Sequence, residues 1–154
     1  MSSIAPDVAA HRAWLASLVD LPSSGSVLDL GCGTGHDLML LARRASTPDV
    51  RFLGVDRSAK SVAESQRASA HLSHVNFEVI DLTTTLPWSD GSFDVVFSNN
   101  YLECVPHLTP LLNDVAHIVR PGGQVVFGHW DWDTQVFNGE DRDRVRRLVH
   151  AFAD

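Results

Sequence analysis

Val27-Leu28-Asp29-Leu30-Gly31-Cys32-Gly33-Thr34-Gly35 is an apolar run that breaks into three glycines within five residues. A strand is predicted over Ser26–Leu30, and a helix over His36–Arg44 begins directly after the last glycine. Strand, glycine turn and helix in that order open a βαβ unit. The three glycines allow a tight turn, a close approach of backbone to ligand and close helix packing. Working outward, short β-rich runs alternate with longer helical ones. Further strands are predicted over Arg51–Val55, Val75–Ile80, Phe93–Ser98 and Gln124–Gly128. Most are nearly continuous apolar runs, as strands covered on both faces require. Helices are predicted over Asp7–Val19 behind Pro6, over Lys60–His71, over His107–Val119 and over Asp141–Ala153. Arg120-Pro121-Gly122-Gly123 breaks the chain before the last strand. The expected fold is α/β, a doubly wound, mostly parallel Rossmann-like sheet. Ligands of such sheets bind at the carboxyl ends of the strands where the winding reverses, beside the first strand and its glycine loop.

Length and composition narrow the class. A chain of 154 residues suits a single domain, here a lead-in over 1–24, a core over 25–130 and a closing helical segment over 131–154. No apolar run reaches the roughly 20 residues of a membrane span, and Met1–Pro6 has neither the basic start nor the apolar stretch of a secretory signal. A net charge of −7 without a basic stripe argues against a nucleic-acid partner. Arg142, Arg144, Arg146 and Arg147 alternate with acids and read as a solvated helix face. Two cysteines, Cys32 and Cys104, give neither a disulfide framework nor zinc-ligand spacing, and suit a reducing compartment. The expected location is cytoplasmic.

The loop selects its ligand by what it lacks. A phosphate-binding P-loop needs Lys and then Ser or Thr after its last glycine; here His36 and Asp37 follow. The dinucleotide fingerprint needs a third glycine where His36 stands. Asp37, in the first turn of the helix, would repel a pyrophosphate at the helix N-terminus. A ligand without phosphates suits the loop better, and S-adenosyl-L-methionine is one. Asp56, ending the second strand, is placed for ribose hydroxyls. Asp81, ending the third, is placed for the adenine amino group, with the backbone amide of Leu82 beside it. Asp29, just before the loop, is placed for the ammonium of the methionine tail. Any one of these acids is an ordinary turn former or helix cap. Three at the ends of successive strands form a joint pattern.

These residues carry a family resemblance. Val27–Gly35 resembles, almost letter for letter, the first motif of class I S-adenosylmethionine-dependent methyltransferases. Phe52-Leu53-Gly54-Val55-Asp56-Arg57-Ser58 resembles the segment with the ribose-binding acid. Asp81 with Leu86-Pro87-Trp88 and Ser92-Phe93-Asp94-Val95-Val96 resembles the adenine-site acid and fourth strand, and Arg120–Gly123 the turn before the fifth. The resemblance covers about residues 25–130 and is nearest to small-molecule methyltransferases like those of quinone biosynthesis. It implies a methyl transfer from S-adenosyl-L-methionine to a small-molecule acceptor by in-line displacement. Cofactor contacts are then expected at Asp29, Gly31, Cys32, Gly33, Gly35, Asp56, Arg57, Asp81, Leu82 and the backbone around Asn99.

The acceptor side is expected where strands four and five end. Tyr101 and Glu103 follow strand four and are candidates to face the acceptor, or in Tyr101's case to pack the next helix. His129 follows strand five as a candidate proton acceptor, and Trp130 or Trp132 can stack on a flat or cationic acceptor. No metal site is expected. The family's final antiparallel hairpin has no counterpart before Asp154. The fifth strand is therefore expected to be an exposed edge, covered by a partner such as a second copy or by the Asp141–Ala153 helix, or else the chain is the N-terminal portion of something longer, which we favour. A second reading is a cofactor-binding module without catalysis, and a third a nicotinamide-dependent oxidoreductase.

Overall fold

The computed structural model describes residues 6–129, with Asp143 and Arg147 beyond them. Five strands, β1 (Gly25–Leu30), β2 (Val50–Asp56), β3 (Val75–Val79), β4 (Phe93–Asn99) and β5 (Val119–Gly128), form one sheet. All pairings are parallel and the order is β3-β2-β1-β4-β5. The expected doubly wound sheet is present, and its winding reverses between β1 and β4. Among the described residues α1 (Pro6–Ser17) precedes β1, and α2 (His36–Arg44), α3 (Ala59–Ser69) and α4 (Leu108–Ile118) connect β1 to β2, β2 to β3 and β4 to β5. None of the described helices is long and apolar enough to cross a membrane.

The side-chain period of two divides the core into two layers. Val27 on β1, Phe52 on β2, and Val95 and Phe97 on β4 pack beneath α1, α2 and α3, against Leu15, Leu38, Leu41 and Val62. Leu28, Leu30, Val55 and Val96 face the other way, onto Leu111, Val115 and Ile118 of α4. Complete burial of a leucine such as Leu28 or Leu30 stabilises the fold by about 1.5–3 kcal/mol. Both faces of β1 are covered, which is why its sequence reads as continuous apolar residues. The same parity has a consequence at the carboxyl ends. Asp29 lies on the α1/α2 face with Val27, and Asn99 on that face with Val95 and Phe97. Both are buried.

β5 differs from expectation at its start. It was expected at Gln124, after a breaker, but Val119 already pairs with Phe93 directly behind α4. Pairing resumes at Gln124 opposite Val95, so the Arg120–Gly123 turn is an excursion inside the strand. Gly122, at φ 77°, supplies the left-handed step. Arg120 Nε donates to Asp94 Oδ1 at 2.5 Å while Asp94 Oδ2 accepts the Ser26 amide at 2.8 Å. The turn is thereby tied to β4 and β1. Partial burial works against ionisation of Asp94, but the Ser26 amide and Arg120 outweigh it and lower its pKa. β3 ends at Val79 rather than Ile80, α3 at Ser69 rather than His71, and α4 one residue before Val119. Of the predicted Asp141–Ala153 helix only Asp143 and Arg147 are described, both helical. The other residues of that helix, with Trp130 and Trp132, lie outside the described residues.

Candidate functional site

The glycine loop is built onto β2. The amides of Gly31 and Cys32 both donate to the Val55 carbonyl, at 2.9 and 3.0 Å, and the Gly35 amide closes a turn on the Cys32 carbonyl at 2.8 Å. Gly35 caps α2 in the left-handed region at φ 75°, and a Cβ there would stand 2.5 Å from the Phe77 ring. Sterics therefore demand glycine. Gly33, at φ 51°, differs: among the described residues a Cβ would meet nothing within 4 Å, so this part of the loop borders space that they leave open. Cys32 beneath it is buried, and burial pushes its thiol pKa up, with Asp29 and Asp56 adding to the effect. The neutral thiol is a packing group.

Asp56 ends β2 and holds the loop. Its Oδ2 accepts the Gly33 amide at 2.9 Å and its Oδ1 the Ser58 amide at 2.8 Å. A carboxylate oxygen accepts more than one hydrogen bond, so each retains capacity for a ligand hydroxyl. Ser58 in turn caps α3, accepting from the Ser61 amide at 3.3 Å. Arg57, between them, is exposed. Asp81 stands two residues past the end of β3, exposed, its Oδ1 accepting the Thr83 amide at 3.0 Å and hydroxyl at 2.7 Å. Those two bonds lower its pKa and keep it anionic. Leu82 turns inward and is buried against Leu28, Leu30 and Val55.

The remaining polar groups gather on the α1/α2 face. Asn99 Nδ2 donates to Asp37 Oδ2 at 3.1 Å, and Arg12 of α1 approaches Asp37 Oδ1 at 3.6 Å. Asp29 Oδ2 and Asn99 Oδ1 are buried without a hydrogen-bond partner among the described residues. Desolvation raises the Asp29 pKa well above the ordinary carboxylate range; Asp37 and Asp56 raise it further and Arg12 opposes. Natural interiors rarely leave such acceptors unmet, and each costs about 1–3 kcal/mol. Two orphaned acceptors beside the loop call for a donor-bearing, cationic ligand group. An ammonium fits, and a phosphate does not. The residues present therefore fit S-adenosyl-L-methionine: an ammonium acceptor at Asp29, a diol acceptor at Asp56, an amino-group acceptor at Asp81, and open backbone at Gly33. Arg12 and Asp37 complete the polar group, and the sequence reading did not single them out as site candidates. Arg12 lies on a helix with no motif, and the packing of α1 against α2 brings it to Asp37.

The acceptor-side candidates sit differently. Asn100 leaves β4 in the left-handed region at φ 57°, which asparagine tolerates, and its amide donates to the Gly128 carbonyl at 2.8 Å. That bond joins the segment after β4 to the end of β5. Tyr101 packs its ring on Gly31, where a Cβ would fall 2.3 Å from the ring. Burial raises its pKa, with Asp81 and Asp56 adding and Arg57 opposing, so it lies among the cofactor-side charges. Glu103, on the 3₁₀ turn Leu102–Cys104, and His129, directly after β5, are both exposed. No hydrogen bond or ion pair joins Tyr101, Glu103 and His129 among the described residues, nor do these hold a metal-binding cluster.

Comparison with known proteins agrees with this geometry. A family model described as a methyltransferase domain matches residues 21–148. A protein of Streptomyces fradiae, described as an uncharacterized 37.1 kDa protein in transposon Tn4556, is 33% identical over 144 residues, 94% of this chain and 41% of its own. The demethylmenaquinone methyltransferase of Bacillus licheniformis is 32% identical over 123 residues, 75% of this chain and 50% of its own. The crystal structure of an S-adenosylmethionine dependent methyltransferase from Mesorhizobium loti matches with a TM-score of 0.69 at 29% identity, covering 82% of this chain and 56% of that one. The chain belongs to the methyltransferase domain family, and its sheet is the Rossmann-like sheet of that family. Family and fold imply S-adenosyl-L-methionine as cofactor. The chain spans about half the length, or less, of these curated relatives.

Proposed function

We propose that this chain is the cofactor-binding and catalytic core of an S-adenosylmethionine-dependent methyltransferase that methylates a small-molecule acceptor. The observation that carries the reading is the Asp56 carboxylate, held by the Gly33 and Ser58 amides at the end of β2 with acceptor capacity left over. When bound, S-adenosyl-L-methionine supplies a methyl group on a positively charged sulfur, which a nucleophile displaces in line. The chain's part in such a reaction is positioning. Gly31, Cys32, Gly33 and Gly35 bring backbone close to the ligand. Asp56 orients the ribose, with Arg57 beside it; Asp81 and Leu82 bound the adenine; Asp29 and Asn99 hold the amino-acid tail. On the acceptor side, His129 takes the proton of an acceptor that must lose one, while Tyr101 and Glu103 border the cofactor and the acceptor. The similarity to a demethylmenaquinone methyltransferase favours a quinol or another small aromatic hydroxyl compound as acceptor.

The wider setting is part of the same reading. We take residues 1–154 as one domain, working in the cytoplasm, where Cys32 and Cys104 stay free. A net charge of −7 speaks against nucleic acid as substrate. β5 is one of the two outer strands of the described sheet, and pairing of two copies along it is our reading of any self-association. The test of function is release of S-adenosylhomocysteine with a panel of quinols, phenols, amines and carboxylic acids. Turnover with at least one small acceptor is expected. Cofactor binding without turnover across the panel would contradict the enzymatic reading and leave a binding module.

A further inference from the structure

The segment after β3 is folded back on its own acid. Asp81 is exposed, and its Oδ1 accepts both the Thr83 amide and the Thr83 hydroxyl, which leaves Oδ2 for a ligand. Thr84 Oγ1 donates to the Asp81 carbonyl at 3.0 Å. These threonines and Leu82 form one wall of a cleft of about 480 Å³ among the described residues. Val105 and Pro106, ahead of α4, and Pro110 in its first turn form the facing wall. Small-molecule sites have volumes of roughly 300–1,000 Å³, so the cleft is large enough for a ring system. Its polar groups are mostly engaged: the Thr83 and Thr84 hydroxyls by Asp81, and Asp114 Oδ2 by the Leu86 amide at 2.9 Å. Leucine, valine and proline supply much of the rest. An anion would face Asp114 and Asp81, and a neutral aliphatic or aromatic group suits the lining.

We propose that this cleft extends the cofactor site beyond the amino edge of the adenine and takes a neutral aliphatic or aromatic substituent carried on the exocyclic amino nitrogen. This rests on the S-adenosyl-L-methionine reading above and goes beyond it by giving the Thr83–Thr85 segment and the start of α4 a part in ligand choice. Two residues join the adenine seat to the cleft. Leu82 lines the cleft while its backbone amide is the adenine contact, and Thr83 lines the cleft while it holds Asp81. The amino nitrogen of adenine carries two hydrogens. Asp81 Oδ2 accepts one, and the other is replaceable without loss of that bond. A singly substituted nitrogen therefore keeps Asp81 and passes its substituent along Thr83 into the cleft. A doubly substituted nitrogen has no N–H left for Asp81. Under this assignment the chain selects for one remaining N–H and tolerates bulk beside it.

The test varies the amino substituent and reads binding by calorimetry. N6-benzyl-S-adenosylhomocysteine should bind wild type at least as tightly as S-adenosylhomocysteine. N6,N6-dimethyl-S-adenosylhomocysteine should bind roughly 10–100-fold more weakly, the scale of one hydrogen bond to a charged group. Pro110→Trp places a bulky ring at the exposed wall of the cleft. It should weaken the benzyl compound roughly 10–100-fold by overfilling the space, and leave S-adenosylhomocysteine unchanged. Wild type that binds S-adenosylhomocysteine and rejects the benzyl compound would overturn the assignment while the cofactor reading stands. Equal affinity for the dimethyl compound would overturn it too, as would a Pro110→Trp effect on both ligands alike or on neither. Binding of none of the three compounds would overturn the cofactor reading itself, and this assignment with it. Should Pro110→Trp fail to fold, Thr85→Trp fills the cleft from the opposite wall with the same expected outcomes.

Discussion

Asp56 fixes the Gly33 and Ser58 amides, and in our proposal its remaining acceptor capacity serves the ribose diol. Asp56→Ala is expected to weaken S-adenosylhomocysteine by about 2–3 kcal/mol, the scale of charge-assisted hydrogen bonds lost together. Calorimetry reads this directly, and an unchanged dissociation constant would remove Asp56 from the site. Asp29 is the counterpart in the buried layer. Its folded pKa is raised by burial and by Asp37 and Asp56, against Arg12, above the ordinary aspartate value of 3.8. The unfolded chain thus ionises first as pH rises. The stability that Asp29 contributes by keeping its proton is complete below 3.8 and is lost as pH climbs through the raised value. Asp29→Asn does not titrate. Thermal melts of the ligand-free protein from about pH 4 to about pH 8 should show the variant gaining on wild type as pH rises. Parallel curves would contradict the shift. Asp29 and Asp56 stood out in the sequence as candidate ligand residues because each stands at the end of an apolar strand beside the loop. Arg12 did not, because its place beside Asp37 depends on how α1 packs against α2.

Among the elements, α2 shows how local chemistry sets the site. Gly35 starts the helix in a left-handed conformation against the Phe77 ring, and Asp37 in the first turn is favourably placed at the positive end of the helix. At the other end Arg44 donates to the Ala16 and Val19 carbonyls, tying α2 to the end of α1. Gly35→Ala would combine a positive φ with a clash against an aromatic core side chain. We expect it to destabilise the domain by about 2–4 kcal/mol, measured by urea denaturation. A loss below about 0.5 kcal/mol would mean the loop is free to rearrange. Across the described residues strand and helix order was readable, since both faces of the central strands are covered and the glycine and proline signals are strong. The start of β5 was not. A proline and two glycines predict a break between elements, while the structure absorbs them as an excursion held by Arg120, Asp94 and Ser26. Nothing local distinguishes a turn before a strand from one within it.

For the whole molecule, the parity of β1 and β4 links stability to function. Alternate residues build two apolar layers, and the two strands end in Asp29 and Asn99 on the layer that α1 and α2 cover. Phe97, 1% exposed, packs two residues before Asn99. Phe97→Ala should cost about 3–5 kcal/mol of stability. At temperatures where the variant stays folded, it should weaken binding through Asn99. The three strand-end acids, the glycine loop and the orphaned acceptors all imply one ligand, and a titration of the ligand-free protein tests that most directly. S-adenosyl-L-methionine and S-adenosylhomocysteine should each bind at one site per chain, with no detectable binding of NADH under the same conditions. Preferential binding of NADH, or no binding of either adenosyl compound, would contradict the account.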